Sequence, residues 1–244
     1  MDRDRIFLLE KVPVAKALIT LAIPTIIGMM IEVIYNLADT FFVGQLGDPN
    51  QVAAVSLSMP LFFFVQALGN VFANGGASFI SRALGRKDYE SARKAASISF
   101  YSAFAIGIIM SIVVYIFMNP LLHLVGASEN TYGYAKEYLD IIIVFGTIML
   151  LKVTLGGILR SEGATKQVMI GMVMGAVINI ILDPLFIMTF EMGVLGAAVA
   201  TIIGNACGVA YYLSFFFRKK SILSISPRLF EFSGRIYSEI LAIG

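Results

Sequence analysis

Six stretches of this chain run almost without charge for long enough to cross a bilayer: Leu18–Val43, Val52–Ile80, Ala95–Met118, Tyr138–Leu159, Val168–Phe190 and Val194–Phe217. A hydrocarbon core of ~30 Å needs about 20 apolar residues in a helix. Lipid cannot hydrogen-bond the backbone, so each segment must satisfy its own N–H and C=O groups. The runs therefore predict an all-α, polytopic membrane protein with a six-transmembrane-helix bundle. Composition agrees, with 58% hydrophobic and only 14% charged residues. The first run is too long and too polar for a cleaved signal peptide. Cys207, the only cysteine, falls in the sixth run as a small packing residue and excludes an intrachain disulfide. A net charge of +2 gives no reason to expect a nucleic-acid partner.

Basic residues set the expected topology. Arg3, Arg5, Lys11 and Lys16 flank the first span; Arg82, Arg86, Lys87, Arg93 and Lys94 lie between the second and third. Lys152, Arg160 and Lys166 are assigned to the side of the fourth-to-fifth turn, with Lys152 snorkelling toward that face and pairing with an acid as its alternative. Arg218, Lys219, Lys220, Arg228 and Arg235 follow the sixth. That places 17 of the 18 Lys and Arg on one side and leaves Lys136 alone on the other. Positive residues stay inside, so both termini are expected in the cytoplasm, with the lipid bilayer of the inner membrane as surroundings. Residues 1–17 form a cytoplasmic segment, 18–217 the transmembrane lobe and 218–237 a basic linker. The segment Ser238–Gly244 (SEILAIG) is similar to the entry of the first span (AKALITLAIP), as though a second repeat began there and was cut off. Transporters are often built from two such repeats.

Ionised side chains at bilayer depth cost several kcal/mol, roughly 2.5–3.5 on insertion scales, and mark function. In the first span Glu32, Tyr35, Asn36 and Asp39 share one helical stripe. Asn179 and Asp183 stand four residues apart in the fifth span, Thr201 and Asn205 in the sixth. At ~1.5 Å per residue, Asp39 lies roughly 8 Å and Asp183 roughly 10 Å below the outer ends of their spans, and Thr201 sits at similar depth. Two carboxylates, an amide and a hydroxyl at one level suit Na⁺, or a proton shared by the acids; an interhelical hydrogen-bond cluster is the plainer alternative. Pro24 and Pro184 each remove a helical hydrogen bond near this stripe, as hinges or as inert kinks. Gln66, Asn70 and Asn74 add a polar ridge on the second span.

Several segments resemble the multidrug and toxic compound extrusion (MATE) transporters. SRALGRKDYESARKA (Ser81–Ala95) is similar to their second-to-third loop and GILRSEGATK (Gly157–Lys166) to their fourth-to-fifth. LADTFFVGQLGD, with Pro24 fifteen residues before Asp39, and the Asn179–Asp183 pair complete the likeness. The resemblance implies one lobe of a twelve-span exporter that exchanges Na⁺ or H⁺ for cationic amphiphilic small molecules. It implies ion coupling at Asp39, Asn179, Asp183 and Thr201, beside Tyr35, with Na⁺ on the first four if sodium couples. It also implies a bending role for Pro24. The partner lobe would be a missing C-terminal half or, since both ends face one side, a parallel homodimer mate. No further cofactor is expected. Lys152 and Thr154 depart from the family, standing near the place of a fourth-span asparagine.

Glu32 lies about two turns deeper than Asp39. With Asn36, Met29, Met172, Gln66 and Asn70 it is expected to line a substrate cavity, Met30 adding to its adaptable walls. The alternative for Glu32 is a structural carboxyl paired to another span. The competing functions are a lipid-linked oligosaccharide flippase, which favours a basic cavity, and a membrane scaffold or intramembrane enzyme. The chain has no HExxH or GxSxG motif, and its one histidine, His123, lies in an external loop.

Overall fold

The structure, a computed structural model, describes residues 12–244; Arg3, Arg5 and Lys11 lie outside that range. Among the described residues it is helical without strands. The long helices are α1 (Val14–Gly44), α2 (Pro49–Gly85) and α3 (Tyr89–Ile116). After the short α4 (Met118–Leu124) come α5 (Glu129–Val144), α6 (Gly146–Ser161), α7 (Thr165–Pro184) and α8 (Gly193–Phe217), and then α9 (Gly234–Leu241). Five helices are long and apolar enough to span a bilayer, and α5 with α6 supplies a sixth span bent by 51°.

Local chemistry starts the helices. Asp48 caps α2, accepting from the Asn50 N–H at 2.9 Å, with Pro49 preset in the first turn. Asp88 caps α3 through the Ser91 N–H at 3.1 Å. Ser128 and Thr131 close a capping box on α5.

Two apolar cores hold the bundle. At the basic end, which carries Arg82, Arg86, Arg160 and Lys166, Phe79, Ile98, Leu155, Ile158 and Tyr212 pack together. At the other end are Val43, Leu61, Leu122, Leu139, Ile142 and Ile187. α2 packs against α3, α5 and α6, and α8 against α5, α6 and α7. α1 rides chiefly on α7 and buries only Gly28, Tyr35 and Val43, a stripe seven or eight residues apart. Its remaining apolar side chains face outward, as expected of a helix bathed in lipid or awaiting another protein surface.

Three departures from the sequence expectation have physical causes. The fourth span breaks at Phe145–Gly146, where the Ile148 N–H turns back to the Phe145 carbonyl, an i to i+3 bond that tightens the turn. The fifth span ends differently: Pro184 has no N–H for the Ile180 carbonyl, and the chain widens into a π-turn over Leu185–Thr189, with the Phe190 N–H reaching the Leu185 carbonyl. The linker is a docked strap. Glu162, fully buried, accepts from the Ser221 hydroxyl at 2.9 Å and the Ile222 N–H at 2.8 Å. Arg93, Ser97 and Tyr101 of α3 donate to the Ile222, Ser224 and Ile225 carbonyls. α9 then lies on α2, where Gly75 admits the Ile240 carbonyl and Arg82 pairs with Glu239 at 3.1 Å.

Candidate functional site

Glycines set the geometry of α7 and α8. Gly171 and Gly175 on one helix face Gly208 and Gly204 on the other, two antiparallel small-xxx-small stripes. A methyl carbon on Gly175 would stand 2.7 Å from the Gly204 carbonyl, and one on Gly204 2.6 Å from that of Gly175. The backbones therefore touch. One turn beyond this crossing, Asn179 of α7 meets Thr201 of α8. The Asn179 amide donates to the Asp183 Oδ1 at 3.2 Å and to the Thr201 hydroxyl at 3.5 Å. The Asn205 amide donates to the Thr201 carbonyl at 2.8 Å and stiffens the same turn.

The cluster is largely buried and short of donors. Asp183 is fully buried, Asn179 is 2% exposed and Thr201 4%. The Asp39 Oδ1, Asn179 Oδ1 and Asp183 Oδ2 oxygens are buried and have no hydrogen-bond partner. Native interiors seldom leave acceptors unsatisfied, so three together call for a cation or a proton. Among the described residues no three or more His, Cys, Asp or Glu side chains are grouped so that they could hold a metal ion. The charge available therefore rests on two carboxylates with neutral oxygens around them, suited to a monovalent cation or protons. Beside the cluster opens a cavity of about 280 Å³. Asp39, Tyr35, Asn36, Gln66 and Thr201 form its polar wall, and Met59 with the edge-on rings of Phe62 and Phe63 its apolar one.

The structure thus brings together Tyr35, Asp39, Asn179, Asp183 and Thr201, and places Asn36 and Gln66 on the same cavity. Other sequence candidates go elsewhere. Asn70 is exposed on α2, and Met29 of α1 is 54% exposed. Met172 fills the seam against Gly28. Pro24 lies inside α1, four residues before that Gly28 contact, and Pro184 begins the π-turn.

Lys152 requires a correction. It does not snorkel to the basic end: its ammonium lies inside the bundle, 3.7 Å from the Glu32 carboxylate, with the two side chains 13% and 37% exposed. A lysine this deep in lipid finds a carboxylate because bare burial of the charge costs more than pairing. The structural alternative for Glu32, a partner on another span, is thus realised. Sequence reasoning also passed over Tyr138, which lines the cavity, and Asp140, an acid of the broken span with a buried, unpartnered oxygen. A charge count within Tyr138–Leu159 exposes Asp140. The paired glycines were legible as GMVMG and GNACG.

The MatE family model matches residues 24–185. This chain belongs to the MatE family. Multidrug export protein MepA of Staphylococcus aureus (strain NCTC 8325 / PS 47) is 33% identical over all 244 residues, which cover 54% of that protein. The MatE chain here therefore spans about half the length of the curated relatives it matches. Among solved structures, a MATE protein crystallised in the straight conformation superposes with a TM-score of 0.93 at 33% identity, over 98% of this chain and 53% of that one. The bent conformation superposes with 0.88, over 94% and 51%.

Proposed function

We propose that this MatE chain supplies one lobe of an antiporter that exports organic cations and drugs across the cytoplasmic membrane, driven by Na⁺ or H⁺ entering at Asp39, Asn179, Asp183 and Thr201. The observation that carries this reading is the trio of unpartnered, buried oxygens on Asp39, Asn179 and Asp183 next to an aromatic cavity. A Na⁺ bound there is coordinated by oxygen lone pairs, or a proton hydrogen-bonds to them, where the described residues leave them unused. The Phe62 and Phe63 faces attract a lipophilic cation, and the apolar wall accepts its hydrocarbon. MepA, a multidrug export protein, lends support from its own activity. The concentration of Arg and Lys at one end favours an orientation with both termini in the cytoplasm. Lys152 adds no free positive charge, being matched by Glu32, so the cavity favours cations over an anionic lipid head.

The test is efflux of a fluorescent lipophilic cation from everted vesicles carrying the protein as its gene encodes it. Na⁺ and H⁺ gradients are imposed separately. One of the two is expected to drive transport; no response to either rules the antiporter reading out.

A further inference from the structure

Two small hollows meet at Lys152, beside the large cavity. It lines one with Glu32, Tyr35, Gln66 and Asn205. It lines a second with Tyr35, Asn179, Thr201 and Asn205, which is the inner side of the ion cluster. Tyr35, Phe62 and Gln66 join the first hollow to the large cavity, and Tyr35 with Thr201 joins the second. The lysine stem runs past Gly208 of α8. One flexible ammonium therefore stands between the Glu32 carboxylate, whose hollow shares Tyr35, Phe62 and Gln66 with the cavity wall, and the oxygens of the ion cluster. Its contact with Glu32 is an open one at 3.7 Å, with no shorter bond holding it.

We propose that Lys152 is a tethered competitor cation that prevents an organic cation at Glu32 and a coupling cation at Asp39–Asp183 from being bound together. This rests on the export reading above. When the coupling ion fills the cluster, it repels the ammonium onto Glu32 and closes that carboxylate to substrate. When an organic monocation takes Glu32, the ammonium is released toward Asn205 and Thr201. There its charge opposes the coupling ion. No bond is made or broken, and the lobe carries one movable positive charge throughout. Antiport needs such exclusion, and a lysine with four rotatable bonds supplies it where a rigid guanidinium fork would hold one partner.

The experiment measures equilibrium binding of tetraphenylphosphonium to the purified protein in nanodiscs, with Na⁺ replaced by choline and with pH varied in separate series. For the wild type, raising the coupling cation is expected to weaken probe binding. Lys152→Gln and Lys152→Met are expected to bind the probe about tenfold tighter, the low end of what a close charge pair contributes, and to lose that competition. Lys152→Arg, which keeps the charge on a stiffer head, restores part of it. Two neutral variants of different polarity guard against misfolding of either. If the wild type shows the competition and both neutral variants retain it at unchanged affinity, the tethered-cation inference is overturned while the export reading stands. If the wild type binds no probe, both fall.

Discussion

Gly204→Ala tests whether the helix crossing positions the ion cluster. The added carbon would stand 2.6 Å from the Gly175 carbonyl oxygen and 3.2 Å from the Asn179 side chain, whereas ordinary contact begins at 3.4 Å. α7 and α8 must part by roughly 0.8 Å, the difference between the first and last of these distances. The Asn179–Thr201 hydrogen bond, already 3.5 Å long, then passes beyond bonding range. Overpacking of this kind costs about 1–3 kcal/mol and the lost neutral hydrogen bond about 0.5–1.5. Alanine returns about 1 kcal/mol of helix propensity, leaving a net loss of about 0.5–3.5. Thermal unfolding of the purified protein should show a midpoint lower by about 1–14 °C, with weaker stabilisation by the coupling cation. Gly156→Ala is the control on a neighbouring helix. Its added carbon would meet Val168 at 3.7 Å and the Arg160 guanidinium at 3.9 Å, both ordinary contacts, so it should be neutral or stabilising. A Gly204→Ala protein that melts with the wild type refutes the close crossing. One that melts early yet keeps its full cation response refutes the link between crossing and site.

Glu162→Ala strips the strap of its buried acceptor and leaves the Ile222 N–H unpaired, at a cost of about 1–3 kcal/mol. Limited proteolysis between residues 219 and 233 should then accelerate at least several-fold; an unchanged cleavage rate counts against the strap. The Ser91 hydroxyl and N–H hold the Asp88 carboxyl below the usual carboxylate range, so its folded value lies under its unfolded one. Its contribution is therefore present above the unfolded value, about 3.9, and is lost as pH falls through the folded one. Hydrogen exchange at the start of α3, corrected for intrinsic rates, should lose protection in that acid window, and Asp88→Asn should remove the dependence. A wild-type profile as flat as that of the variant would contradict it.

The span pattern was legible because lipid imposes it. Leu18–Val43 and Val194–Phe217 sit inside α1 and α8, the helix ends adding only a few residues. The convergence of Asn179, Asp183 and Thr201 was legible too, since helical spacing and rise per residue fix both face and depth. Asp39, 140 residues before Asn179 in sequence, joined them only by the depth argument, and α1 seats it through its contact with α7. Hydropathy alone could not show the break at Phe145–Gly146, because both halves are apolar. Lys152 was misplaced for a related reason: charge near the end of a run predicts snorkelling, whereas the partner that holds this lysine inward lies on α1, 120 residues away in sequence. Composition named Met29 and Met172 but not their surroundings: Met29 faces outward on α1 and Met172 packs on Gly28.

The most direct test of the two-carboxylate site is a double-mutant cycle on cation-driven efflux, with Asp39→Asn, Asp183→Asn and both together in the full protein. If the two acids hold one coupling ion, either substitution alone removes coupling and the double variant is no worse than the singles. Losses that multiply in the double variant would mean two independent sites, and a single variant that still couples would remove that residue from the ion shell.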